Sequence, residues 1–118
     1  IEKIVGKKLK PTYSYLSAYT KDADLPPHTD RPDCEYTVSF IVDKPDNVRW
    51  PIYFHKEKQP IKGKGRYGEK PDKANCLECD CGANGLMIFN GRDHIHYREP
   101  LEYDFYNILL LHYKGYND

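Results

Sequence analysis

No apolar run in the sequence exceeds four residues, the length of the stretch from Ile108 to Leu111, and a bilayer-spanning helix needs about 20. A membrane-spanning helix is therefore not expected. Net charge is also missing, because 18 basic and 18 acidic residues cancel. No global field draws the chain to nucleic acid or to an anionic membrane, so neither is an expected partner. Cysteine is sparse and uneven, at Cys34, Cys76, Cys79 and Cys81. A small secreted disulfide scaffold would carry more, so free thiols in a reducing cytoplasm are expected. Trp and Met occur once each. The start, Ile1-Glu2-Lys3-Ile4, has no signal-peptide layout and no initiating Met, which is consistent with a trimmed or partial product.

The 118 residues suffice for one core and not two, so residues 1–118 are read as a single domain. Of the 16 aromatic residues 11 are Tyr, a strand former with a hydroxyl to place in a pocket. Nine Pro and eight Gly punctuate the short apolar runs and leave no room for a long helix. Alternation predicts strands over residues 12–19 and 36–43, with shorter candidates at 50–55, 75–81, 85–90, 93–98 and 105–113. Seven or eight short strands in about a hundred residues give an all-β fold, a sandwich or jelly roll. Residues 56–73 read as a polar loop with seven basic and three acidic side chains, either solvated or lying beside an active site.

Chemistry concentrates in Leu25-Pro26-Pro27-His28-Thr29-Asp30-Arg31-Pro32. Residues two apart in an extended segment project to one face, so His28 and Asp30 can point at one metal ion. A third ligand is available downstream, where His94 and His96 share a face and periodicity does not choose between them. Two His and one carboxylate on one face leave three coordination positions open, the arrangement of non-haem Fe(II) oxygenases, although the same donors suit Zn(II) or Mn(II). The Cys76-Leu77-Glu78-Cys79-Asp80-Cys81 segment contains a CxxC with no second Cys pair, and reads as strand cysteines rather than a zinc site.

Taken in order, Pro11-Thr12-Tyr13-Ser14-Tyr15-Leu16, Tyr19, the His28 segment, Cys34-Glu35, Trp50-Pro51-Ile52-Tyr53, His96-Tyr97-Arg98-Glu99-Pro100-Leu101 and Leu111-His112-Tyr113 resemble the 2-oxoglutarate and Fe(II)-dependent oxygenase superfamily. The nearest part of it is a prolyl-4-hydroxylase-like microbial and viral branch. The resemblance implies a double-stranded β-helix and a metal held by His28, Asp30 and His96, with no catalytic residue beyond those ligands. It implies a dioxygenase that uses Fe(II), 2-oxoglutarate and O2 to hydroxylate a C–H bond of a peptide or small metabolite. Tyr19 matches a tyrosine that contacts 2-oxoglutarate. Phe105-Tyr106-Asn107 stands where the family usually has a Lys or Arg for the far carboxylate. Arg98, on the face of His96, is the substitute anchor, with Tyr13, Tyr15 and Asn107 as further hydrogen-bonding candidates. The competing reading is a non-catalytic jelly-roll module that binds a metal or ligand.

Overall fold

Eight strands and very little helix make up the computed structural model, which describes residues 2–57, 70–82 and 85–115. After a one-turn helix α1 (Glu2–Val5) come β1 (Leu9–Thr20), β2 (Leu25–His28), β3 (Tyr36–Asp43), β4 (Ile52–His55), β5 (Cys76–Cys79), β6 (Leu86–Phe89), β7 (His96–Arg98) and β8 (Phe105–Gly115). They form two four-stranded antiparallel sheets, ordered β1-β8-β3-β6 and β2-β7-β4-β5. Strand 1 pairs with 8, 2 with 7, 3 with 6 and 4 with 5, each with its counterpart counted from the other end of the chain. The fold is all-β. Among the described residues no helix is long and apolar enough to cross a membrane. Most of the polar 56–73 segment lies outside the described residues.

Several expected strands are shorter than their patterns suggest. Pro51 keeps β4 from beginning before Ile52. The expected strand at 93–98 starts only at His96, because Asn90 Oδ1 accepts the backbone N–H groups of Arg92 and Asp93 and folds residues 91–94 into a turn. Strand β2 falls where the sequence suggested only an extended segment after a turn. Its two prolines are tolerated because it is an edge strand.

The inner face of the first sheet is the polar one. In β3 the apolar set Tyr36, Val38, Phe40 and Val42 lies on the face away from the cavity, Val38 being buried even there, while Thr37, Ser39 and Ile41 are buried against the second sheet. Opposite them in register stand His112, Leu110 and Ile108 of β8, and beyond these Tyr13, Tyr15 and Ser17 of β1. A strand whose inner face is hydroxylated lines a cavity rather than a fully apolar core.

The apolar core sits at one end, where Ile41, Val48, Trp50, Leu101, Tyr106 and Ile108 pack together with Tyr19. Leu101 is fully buried, and its backbone N–H and C=O bond to Ala23 O and Asp22 N (2.8 Å each), pinning the turn that leads into β2. Leu101→Ala is expected to cost about 2–5 kcal/mol of stability by opening a cavity there. Chemical denaturation would measure it as a lower midpoint with an unchanged slope.

Candidate metal centre

Strand β2 meets β7 with one extra residue. Leu25 pairs with Arg98 and His28 with His96, three steps on one strand against two on the other. This irregularity brings both Leu25 and His28 onto the cavity wall, where strict alternation would separate them. Asp30 follows two residues after His28. Its backbone N–H donates to Gly91 O at 2.8 Å and its C=O accepts from Arg92 at 3.1 Å, tying the ligand loop to the turn before β7.

The three side chains converge. His28 Nε2 lies 3.1 Å from Asp30 Oδ1 and His96 Nε2 3.5 Å from Asp30 Oδ2, and all three donor atoms fall within 4.8 Å of one another. Among the described residues no other group of three His, Cys, Asp or Glu side chains is placed this way. Each ring is held from behind by the carbonyl two residues earlier. His28 Nδ1 is 2.7 Å from Pro26 O, and His96 Nδ1 is 2.9 Å from His94 O. A carbonyl accepts only, so each Nδ1 carries the proton and each Nε2 is left to point at the carboxylate. A neutral ring would then direct a lone pair at anionic oxygen. Either a second proton on the ring or a cation between the groups resolves the clash, and a divalent cation resolves it for both rings at once.

Burial pushes the Asp30 carboxyl upward. The hydrogen bonds and charge of His28 and His96 outweigh that and hold it well below the usual carboxylate range, so the group is ionised and ready to ligate. His96 is almost wholly buried, packed against Phe54 (5.5 Å between ring centroids) and Phe89 (5.5 Å), while His28 and Asp30 are partly open towards the mouth.

Gly91 completes the pocket wall. A Cβ there would lie 2.0 Å from Asp30 Oδ2 and 3.1 Å from His96 Cε1. No side chain fits without expelling the carboxylate. Sequence reasoning passed over this residue, since the contact spans sixty residues of chain and only the Asn90-Gly91 turn signal marks it.

The triad sits where two chambers meet. The inner one runs from His96 to Arg98 and is closed by Tyr19, Ser39 and Ile108. Arg98 is 3% exposed, donates to Trp50 O at 2.6 Å, and stacks over the Trp50 ring at 4.8 Å with the Tyr106 hydroxyl beside it. Burial lowers its pKa. No carboxylate lies within ion-pairing distance among the described residues, so the chamber ends in a buried cation with donors to spare. The outer chamber, of about 190 Å³, opens past His28 and Asp30 between Tyr13, Arg31, Cys34 and His112.

The structure brings together His28, Asp30, His96, Tyr19 and Arg98 around the inner chamber. Two further candidates lie away from the inner chamber. Tyr13 lies in the outer chamber, six residues or about 20 Å of strand from Tyr19, and its hydroxyl is engaged by Arg31 (2.7 Å) and Cys34 (2.9 Å). Asn107 is out of phase with Tyr106, Ile108, Leu110 and His112, so it projects from the opposite face of β8 and does not line the cavity. The two downstream histidines are also separated. His94 lies in the turn, its Nδ1 2.8 Å from His55 O, and borders an apolar groove formed by Phe54, Leu77 and Met87. The cysteines of the CxxC segment are free thiols on and just after β5, with Cys76 buried.

No protein-family model, curated protein or solved structure matches the chain.

Proposed function

We propose that the chain is a dioxygenase of the 2-oxoglutarate and Fe(II)-dependent kind, built on a double-stranded β-helix, that hydroxylates a C–H bond of a peptide or small-molecule substrate. The strand orders 1-8-3-6 and 2-7-4-5 support the jelly-roll reading, because pairing each strand with its counterpart from the other end is what rolling up one long antiparallel hairpin produces. One observation carries the function. Two imidazoles and a carboxylate converge on a single point at the mouth of a chamber whose far end is a buried guanidinium without a carboxylate partner among the described residues.

The donor set fits Fe(II), since two neutral imidazole nitrogens and one carboxylate oxygen leave open positions for a chelating co-substrate and for O2. The cation at its end suits the distal carboxylate of 2-oxoglutarate, and at about 70 Å³ the inner chamber has to widen to admit the whole molecule. Arg98 stands two residues beyond His96 on the same face of β7, about 6–7 Å along the strand, and offers paired N–H donors to the distal carboxylate of a short diacid. Bound iron and 2-oxoglutarate supply the oxidising chemistry. His28, Asp30 and His96 fix the metal's orientation, and the backbone carbonyls behind the two rings fix their tautomer. Phe54, Phe89 and Ile52 exclude water from the inner side of His96. The open side, past His28 and Asp30, leaves the substrate's C–H bond access to the metal from the outer chamber.

The test is anaerobic addition of Fe(II) and 2-oxoglutarate to the wild-type chain and to His96→Ala. A weak visible charge-transfer band is expected in the first and none in the second, followed on admitting O2 by slow succinate release from the wild type alone. Bound iron without the band would overturn the 2-oxoglutarate assignment. The chain would then be a metal-binding jelly-roll module without this chemistry.

A further inference from the structure

We infer that the outer chamber is a carboxylate-binding substrate site, with Arg31 as its anchor and an amino-acid-sized acid as its ligand. The inference rests on the triad binding a metal and deepens the proposed function by naming the substrate class.

Arg31 follows the metal ligand Asp30 directly, so the loop that sets the carboxylate also sets the guanidinium. The Arg31 head group is not free to wander over the surface. It donates to the Tyr13 hydroxyl at 2.7 Å and rests over the Tyr13 ring, 5.6 Å from its centroid. Asp33, whose charge acts on Arg31 through space, makes no ion pair with it and lies 3.8 Å from Lys114. A fixed cation with remaining N–H donors thus stands on the rim of the chamber that opens onto the metal ligands.

The opposite wall supplies an independent observation. His112 is 95% buried and lines both chambers, with Nδ1 on Thr37 Oγ1 at 2.9 Å. Its Nε2 has no hydrogen-bond partner among the described residues. Buried polar atoms are rarely left without partners, and this nitrogen is sealed from solvent with the Tyr13 and Tyr15 rings packed on the imidazole, so a ligand's polar atom pairs with it once those rings shift. A carboxylate on Arg31 and a second polar group reaching His112 would hold a ligand across the chamber, with its intervening carbons beside His28 and Asp30.

The chamber's volume of about 190 Å³ has room for a free amino acid or a comparable short acid, with its mouth open to solvent. The last residue of a peptide offers the same main-chain carboxylate, whereas a residue inside one offers a carboxylate only from an Asp or Glu side chain.

The experiment loads the chain with Zn(II), which occupies the triad without turnover, and with 2-oxoglutarate. The twenty amino acids are then screened by saturation-transfer NMR, each as the free acid and as its C-terminal amide. Zinc content and 2-oxoglutarate binding are read in the same samples. At least one free acid is expected to bind, with its amide tenfold or more weaker. Arg31→Gln should weaken the acid by tenfold or more and Arg31→Lys by less, with zinc content and 2-oxoglutarate binding unchanged in both. Equal binding of acid and amide, no effect of Arg31→Gln, or no acid bound to a chain that holds zinc and 2-oxoglutarate would each overturn the inference. A chain that holds neither zinc nor 2-oxoglutarate would overturn the underlying reading as well. A tripeptide ending in the best residue separates the two sources of carboxylate: equal affinity assigns the chamber to a chain terminus, weaker affinity to the free acid.

Discussion

Gly91→Ala is expected to lower metal affinity by about 100-fold or more while leaving the strands in place. The added methyl would sit 2.0 Å from Asp30 Oδ2 and 2.9 Å from Asp30 Cγ, far inside van der Waals contact, so either the Asp30 carboxylate or the turn must move. The turn is held. Asn90 Oδ1 accepts two of its N–H groups, and Gly91 O accepts the Asp30 N–H, so the backbone on both sides is committed. The carboxylate is the softer element and rotates away from His28 and His96. Disturbing groups that only orient ligands costs 10–100-fold in metal affinity, and displacing a ligand outright should reach or exceed the top of that range. Calorimetric titration with Fe(II) or Co(II) under anaerobic conditions measures the loss. Gly82→Ala is the control, since a Cβ there meets nothing within 4 Å. A Gly91→Ala chain that binds metal like the wild type would show that Asp30 is not held where the ligand geometry requires.

This result would separate what the sequence made legible from what only folding reveals. The pairing of His28 with Asp30 is local, a consequence of two-residue periodicity in an extended segment, and it could be read directly. Arg98 was legible on the same ground, two residues beyond His96 on one strand. The choice of His96 over His94 was not. It came from resemblance, and its physical basis is the Asn90 turn, which keeps residues 91–94 out of the strand and sends His94 to a different surface.

Parity misled where both faces of a strand are apolar. In β8 the run from Ile108 to Leu111 gives no alternation to read, so the inward phase of Tyr106 and Ile108, and with it the outward phase of Asn107, was hidden. In β3 the alternation was clear, yet the apolar set faces outward, because the inner face lines a polar cavity. The two chambers, and so the division of Tyr19 from Tyr13, depend on which sheet lies over which. No local pattern encodes that. Gly91 is the extreme case, a residue whose role is an atom it lacks, opposite a side chain sixty residues away.

Replacing Arg98 should separate co-substrate binding from metal binding. Arg98→Met removes a buried guanidinium that donates to Trp50 O and stacks on the Trp50 ring. For the metal-only protein the change is mild by comparison, since Met fills similar space and the cost of burying an unpaired charge disappears with it. For 2-oxoglutarate it is severe. Two charge-assisted hydrogen bonds to a carboxylate, at about 1.5–3 kcal/mol each, correspond to a rise in Kd of at least about 100-fold. Fe(II) affinity should stay within a few-fold of wild type, because no triad atom depends on the guanidinium. Arg98→Lys should fall between, keeping the charge but losing the planar fork. Titrating 2-oxoglutarate into the iron-loaded chains and following the charge-transfer band reads both quantities, because the band needs metal and co-substrate together. An unchanged 2-oxoglutarate affinity in Arg98→Met would remove the anchor from this end of the chamber. The buried cation would then be a structural support for Trp50 and Tyr106, and Arg31 would be left, among the described residues, as the one cation at the cavity placed to take a carboxylate.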